Sequence, residues 1–324
     1  MTAAGPVAVV ADGPGAGAPG AVLASWRDVL AGAVVETLLR PASWPLALAG
    51  FLVRGGIIPF AVPIVVLPTT VGVATFFGPE LSTVVLGEPP PDLLAFFAAV
   101  VGGTLAWLLL SALIGAAADV ALIRAAAQDA GAELPRGGWL TVRVAIVRLV
   151  CHLPLVLALA AGLGTLIAAT YHELILPDEL VTPILLRVIR EVPVQVGAIV
   201  GAWLLGETLG GLAARAVVLD DRPTPLAVGL GLWWLLRRPV SSAATLGIGL
   251  LAAVILVAPA LLAVGPVWAR LREVIVAGVR PEVALAGTAL LAGAWIGGLV
   301  LAGIAAALRS HLWTLDVLRA RTAR

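Results

Sequence analysis

The chain has 324 residues, of which 61% are hydrophobic and 12% charged. Soluble domains carry about 45–50% apolar and about 25% charged residues, so these proportions exclude a water-soluble protein of this length. Twenty basic residues against nineteen acidic ones leave a net charge of +1, which excludes the concentrated basic surface that a nucleic-acid partner needs.

The N-terminal residues are dominated by Gly, Ala and Pro. They lack the charged start and compact apolar stretch of a signal peptide. The sequence therefore predicts a disordered tail over 1–21, followed by a single membrane domain over 22–324. Residues 22–39 hold Trp26 among helix-forming residues and predict a first, interfacial helix.

A helix needs about 20 apolar residues to cross the hydrocarbon core. Six segments between charged or His residues meet that length: 55–79, 93–118, 149–171, 192–214, 239–269 and 283–308. They are continuous Leu, Ala, Val and Gly runs, not the alternating segments of about ten residues that build a β-barrel. The fold class is accordingly all-α, a polytopic membrane protein with six transmembrane helices. Pro59, Pro63 and Pro68 fall in the first segment and predict a kink there, because each removes a backbone hydrogen bond.

Arg54, Arg148 and Arg237 each follow three apolar residues near the start of an odd-numbered span. Trp44, Trp139 and the pair Trp233 and Trp234 precede them. Trp favours the headgroup level and Arg reaches towards it, so these stretches predict interfacial elbow helices. The three Arg residues are candidate contacts for lipid headgroups or anions.

Arg is retained on the cytoplasmic face of membrane proteins. With the N-terminus inside, only Arg187, Arg190, Arg270, Arg272 and Arg280 of the twenty Arg residues face out, which places both termini in the cytoplasm. The complete absence of Lys and Asn points to a GC-rich genome, and hence to a bacterial cytoplasmic membrane.

The even-numbered spans share a pattern. It reads Ala106, Trp107, Leu113, Gly115, Ala117, Ala118, then Ala202, Trp203, Leu209, Gly211, Ala213, Ala214, then Ala294, Trp295, Leu301, Gly303, Ala305, Ala306. The offsets are 96 and 92 residues, and Arg54, Arg148 and Arg237 lie 53, 55 and 58 residues before the three Trp residues. Two landmarks in step predict three parallel helical-hairpin repeats, approximately 24–134, 135–222 and 223–324, around an axis along the membrane normal.

Glu207 is the one acidic residue well inside a span. Ionisable groups at that depth are costly enough to be functional candidates. At 1.5 Å per residue it lies about 24 Å along the helix from Glu191, past the midplane of a core about 30 Å thick. In the repeat register it corresponds to Ser111 and to Leu299. Asp119 and Arg215 share a register position nearer the helix ends, and an ion pair or gate between repeats is expected of them. Glu207, Ser111, Asp119 and Arg215 form the candidate intramembrane polar site.

Cys151 and His152 are adjacent and point about 100° apart on a helix, which removes them as a nucleophile and base pair. His172, Glu173, Asp178 and Glu179 cluster beside Tyr171, without the second His of a zinc-protease spacing. No phosphate-binding or dinucleotide fingerprint is present, so no cofactor is expected and an enzyme is the least favoured class. The expected function is a permease-like or lipid-handling protein with a central site near Glu207. Its partners would be the bilayer and an anionic lipid or small molecule. The alternative is a non-catalytic scaffold that binds a partner protein.

Overall fold

The computed structural model describes residues 25–61, 91–175, 184–278 and 281–322. Every regular element among them is helical: α1 (Trp26–Leu39), α2 (Ser43–Phe51), α3 (Ile57–Ala61), α4 (Pro91–Asp129), α5 (Leu140–Cys151), α6 (Leu153–Ile175), α7 (Ile184–Glu191), α8 (Pro193–Asp220), α9 (Thr224–Arg237), α10 (Pro239–Val276) and α11 (Pro281–Thr322). Among the described residues, six helical stretches are long and apolar enough to cross a membrane: Ser43–Ala61, Leu94–Asp129, Leu153–Thr170, Pro193–Asp220, Pro239–Val276 and Pro281–Arg321. The tail, Pro63, Pro68, Asp178 and Glu179 lie outside the described residues.

The N-terminal limits of the later spans match the expected ones closely, because Pro193, Pro239 and Pro281 each open a helix. Proline is at home in the first turn, where its missing N–H has no partner to lose. The C-terminal limits run further than the charges suggested. α4 passes through Asp119 and Arg124, and α11 through Arg309 and Asp316. Asp119, Arg309 and Asp316 are ion-paired within the protein and Arg124 reaches the Pro135 carbonyl, so these residues do not mark a membrane surface.

The first span differs most. Its apolar stretch starts at Ser43 instead of 55, and Trp44, expected in an elbow, lies inside it. α2 and α3 are joined by a widened π-type turn at Leu52–Gly56, where Arg54 has φ −87°, ψ 18° and Gly55 has φ 96°. Gly55 supplies a left-handed conformation that a side chain would oppose. The break therefore lies ahead of Pro59, at the residue pair that turns the Arg54 side chain inward.

The even-numbered spans α4, α8 and α11 touch one another pairwise, while α6 packs along α8, α10 along α11, and α2 against both α4 and α11. The largest buried cluster gathers Ile123 of α4, Val144 and Val147 of α5, Val217 and Val218 of α8, Trp234 of α9, and Leu312 and Leu315 of α11. The core thus sits towards the C-terminal ends of the even spans. Elsewhere large apolar side chains such as Leu109, Leu157, Val254 and Leu285 face outward, as a lipid environment permits.

α1 is not a span. Ser25 caps it by accepting from Asp28 N at 3.3 Å, and Asp28 Oδ2 accepts from Ser25 N at 2.7 Å. Val29, Ala33 and Thr37, four residues apart, form the buried stripe that lies on α11. Thr37 Oγ1 is 2.9 Å from His311 Nδ1 and anchors the pair.

Next to that stripe, burial pushes the Glu36 carboxyl up to about 7 from its ordinary 4.5, against the opposing pull of Arg40. The folded state then binds this proton more tightly than the unfolded chain. Its contribution is largest below pH 4.5 and is lost as pH rises through about 7. Glu36→Gln is expected to flatten the decline in melting temperature over that interval. An unchanged pH slope in the variant would remove Glu36 as its source.

Candidate functional site

Three arginines converge on two carboxylates where the even spans meet. Each runs across a glycine of a facing helix. A Cβ at Gly115 would lie 3.5 Å from the Arg54 side chain, one at Gly210 would lie 3.2 Å from Arg148 Cδ, and one at Gly249 would lie 3.0 Å from Arg309 Cγ. Small residues allow close approach of helices in membranes. At Gly210 and Gly249, where a Cβ would crowd the arginine, they also give a long cationic side chain a path into the interior.

Asp119 sits one turn beyond Gly115 on α4. Arg54 grips it with both ends of its fork, Nη1 to Oδ2 at 3.0 Å and Nη2 to Oδ1 at 2.9 Å. Arg148, from α5, adds Nε to Oδ2 at 3.0 Å and Nη2 to the same oxygen at 2.8 Å. The Asp119 side chain is 9% exposed, and two guanidiniums replace its hydration. Arg54 Nε also donates to Gly50 O at 2.8 Å, which fixes the side chain to the turn that carries it.

Glu207 lies midway along α8. Arg309 of α11 pairs with its Oε2 through Nη2. His152 Nε2 stands 3.3 Å from Oε1, and Arg148 Nη1 stands 3.7 Å from Oε2. Arg148 therefore bridges the two acids. Cys151 is buried beside it at the end of α5. His152 breaks the chain between α5 and α6, with φ −93°, ψ 2° and Nδ1 2.8 Å from Arg148 O. Both of its ring nitrogens face acceptors.

Arg215 is buried at 3% exposure but turns its guanidinium to neutral acceptors: Gly211 O and Ser310 O, each at 2.8 Å, and Thr314 Oγ1 at 3.2 Å. It is close enough to Asp119 to interact with it electrostatically. Asp119 makes its direct ion pairs with Arg54 and Arg148 instead. Ser111 is buried and donates to Leu108 O of its own helix at 3.0 Å. Arg237 lies over the Trp233 ring, 4.2 Å from its centroid, while Arg54 and Arg148 meet at Asp119.

Of the residues singled out from the sequence, Asp119, Glu207, Arg54 and Arg148 are brought together, with Arg215 alongside. Arg309 belongs to the same cluster and was expected only as one of the cytoplasmic arginines, at the limit of the last span. Its signal was its place two residues beyond Ala307, which the expected repeat aligns with Asp119 and Arg215.

At the other end of the bundle, His172, Glu173 and Glu191 bring three ligand atoms within 4.8 Å of one another. Glu173 Oε2 is 3.0 Å from Arg187 Nε, so that carboxylate already faces a cation.

No protein-family model, curated protein or solved structure matches this chain.

Proposed function

We propose that the protein is a permease-like or lipid-handling component of a bacterial cytoplasmic membrane, with both termini inside and its central site at the Glu207 cluster. In this reading three hairpin repeats, approximately 24–134, 135–222 and 223–324, set the even spans around a common axis. The mutual contact of α4, α8 and α11 supports that arrangement.

One observation carries the functional reading. Glu207 lies midway along a membrane-spanning helix and is ion-paired to Arg309 on another spanning helix. Charged groups at depth are expensive, and uncharged packing of similar volume would be at least as stable in many proteins. A site that handles a charged or polar solute gives these groups a purpose that packing alone does not.

The test is thermal unfolding of the detergent-purified chain against lipids, ions and small metabolites, since a ligand of the native state raises its apparent stability. A compound whose stabilisation changes in Glu207→Gln is the expected result, and it would locate the ligand at the cluster. Absence of any shift, with the variant at least as stable as the wild type, would favour the scaffold.

A further inference from the structure

We propose that the cluster binds a doubly charged phosphate group, carried by a soluble phosphate monoester or by a lipid headgroup of the phosphatidate type, with Arg54 and Arg309 as its first contacts. The inference rests on the central-site reading above and gives that site a ligand chemistry.

Charge is the first reason. Among the described residues, the guanidiniums of Arg54, Arg148, Arg215 and Arg309 gather around Asp119 and Glu207. Four cations against two anions leave an excess of two positive charges. In an apolar interior an uncompensated charge costs several kcal/mol even after relaxation. Four other carboxylates have their own cations, Arg40 for Asp129, Arg143 for Asp221, Arg321 for Asp220 and Arg319 for Asp316, and Glu36 lies in the field of Arg40.

An unmet donor is the second. Arg148 Nη1 is buried and has no hydrogen-bond partner. Buried guanidinium nitrogens ordinarily meet an acceptor, so the Arg148 charge is not fully met by Asp119 and by Glu207, whose Oε2 stands 3.7 Å away.

Access is the third. The Arg54 and Arg309 side chains are 33% and 28% exposed, against 14% for Arg148. These two can receive a ligand while Arg148 and Arg215 supply field from behind. The guanidinium N–H groups that remain beyond the Asp119 and Glu207 pairs can donate to several phosphate oxygens at once. A phosphate monoester carries about −1.5 to −2 at neutral pH, close to the excess. A carboxylate or a phosphodiester brings only one charge.

The experiment titrates the full chain in maltoside micelles with inorganic phosphate and, separately, with short-chain phosphatidate. Sodium chloride balances ionic strength, and the readout is the melting temperature. A saturable rise with phosphate identifies the soluble source; a rise with phosphatidate alone identifies the headgroup. Arg309→Gln should weaken the apparent affinity about tenfold or more, as loss of a charge-assisted hydrogen bond does. Glu207→Gln should tighten it, because a competing anion has gone. Arg270→Gln, at an exposed i,i+3 pair with Glu273 near the far end of α10, should leave it unchanged.

If Arg309→Gln does not fold, the wild-type titrations and the direction of the Glu207→Gln change decide. The proposal is overturned by a wild type that shifts with neither phosphate source, by an equal shift with chloride, or by Arg309→Gln or Glu207→Gln binding like wild type. If phosphate fails but another solute stabilises in a Glu207-dependent way, only the ligand assignment falls. If nothing stabilises and Glu207→Gln is as stable as wild type, the central-site reading falls with it.

Discussion

Asp119→Asn is expected to destabilise the folded protein by about 3–5 kcal/mol, the cost typical of removing one partner of a buried charge pair. The carboxylate is shared by Arg54 and Arg148 through contacts of 2.8–3.0 Å. An asparagine keeps the shape and removes the charge, leaving Glu207 as the remaining carboxylate among four guanidiniums. The matched control is Asp129→Asn. Its pair with Arg40 lies at the surface, where the Arg40 side chain is 47% exposed, and exposed ion pairs contribute about 0–1 kcal/mol. Chemical unfolding in micelles, with the yield of monodisperse protein beside it, would compare the two. Equal costs for both substitutions would mean that Asp119 is not the structural centre of the cluster.

Gly303→Ala is expected to cost about 1–3 kcal/mol, in the range of overpacked cores. A Cβ at Gly303 would lie 2.8 Å from Trp44 O and 3.3 Å from Leu48 Cβ. A backbone carbonyl cannot swing aside. α2 is also held where it is by the Trp44 indole, whose Nε1 donates to Thr37 O at 2.8 Å. α11 would have to move away from α2, carrying Arg309 with it.

The glycines that the expected repeat aligns with it behave differently. A Cβ at Gly115 meets the Arg54 side chain at 3.5 Å, and one at Gly211 meets Arg215 Nη1 at 3.8 Å, both ordinary contacts. Alanine at either position gains helix propensity of about 0.5–1 kcal/mol over glycine. Gly115→Ala and Gly211→Ala should therefore melt at or above the wild type while Gly303→Ala melts below it. Three equal responses would place the tight contact elsewhere.

The three Trp residues aligned by the expected repeat contrast in the same way. Trp107 and Trp203 are 53% and 38% exposed, whereas their register partner Trp295 donates to Phe60 O at 3.2 Å and meets the Phe60 ring edge-on at 6.5 Å. The same residue at the same register can face outward on two helices and pack inward on the third.

The sequence by itself determined that the chain is helical and where its later spans begin. In hydrocarbon every backbone group must be satisfied within its own segment, so a long uncharged run has one available structure. It also identified Glu207, because an acid far from any span end is rare and conspicuous. The helix C-termini were not legible, since Asp119, Arg215 and Arg309 continue their helices as members of a network instead of stopping at a surface. Nor was the identity of Glu207's partners. Arg309 is 102 residues away, and Arg54 is 65 residues from Asp119. A helix that is apolar on every side carries no periodic stripe to say which face meets a neighbour. Only the packing of α4, α5, α8 and α11, with glycines opposite the three arginines, decided that these charges meet, and it did so through distances that no single helix contains.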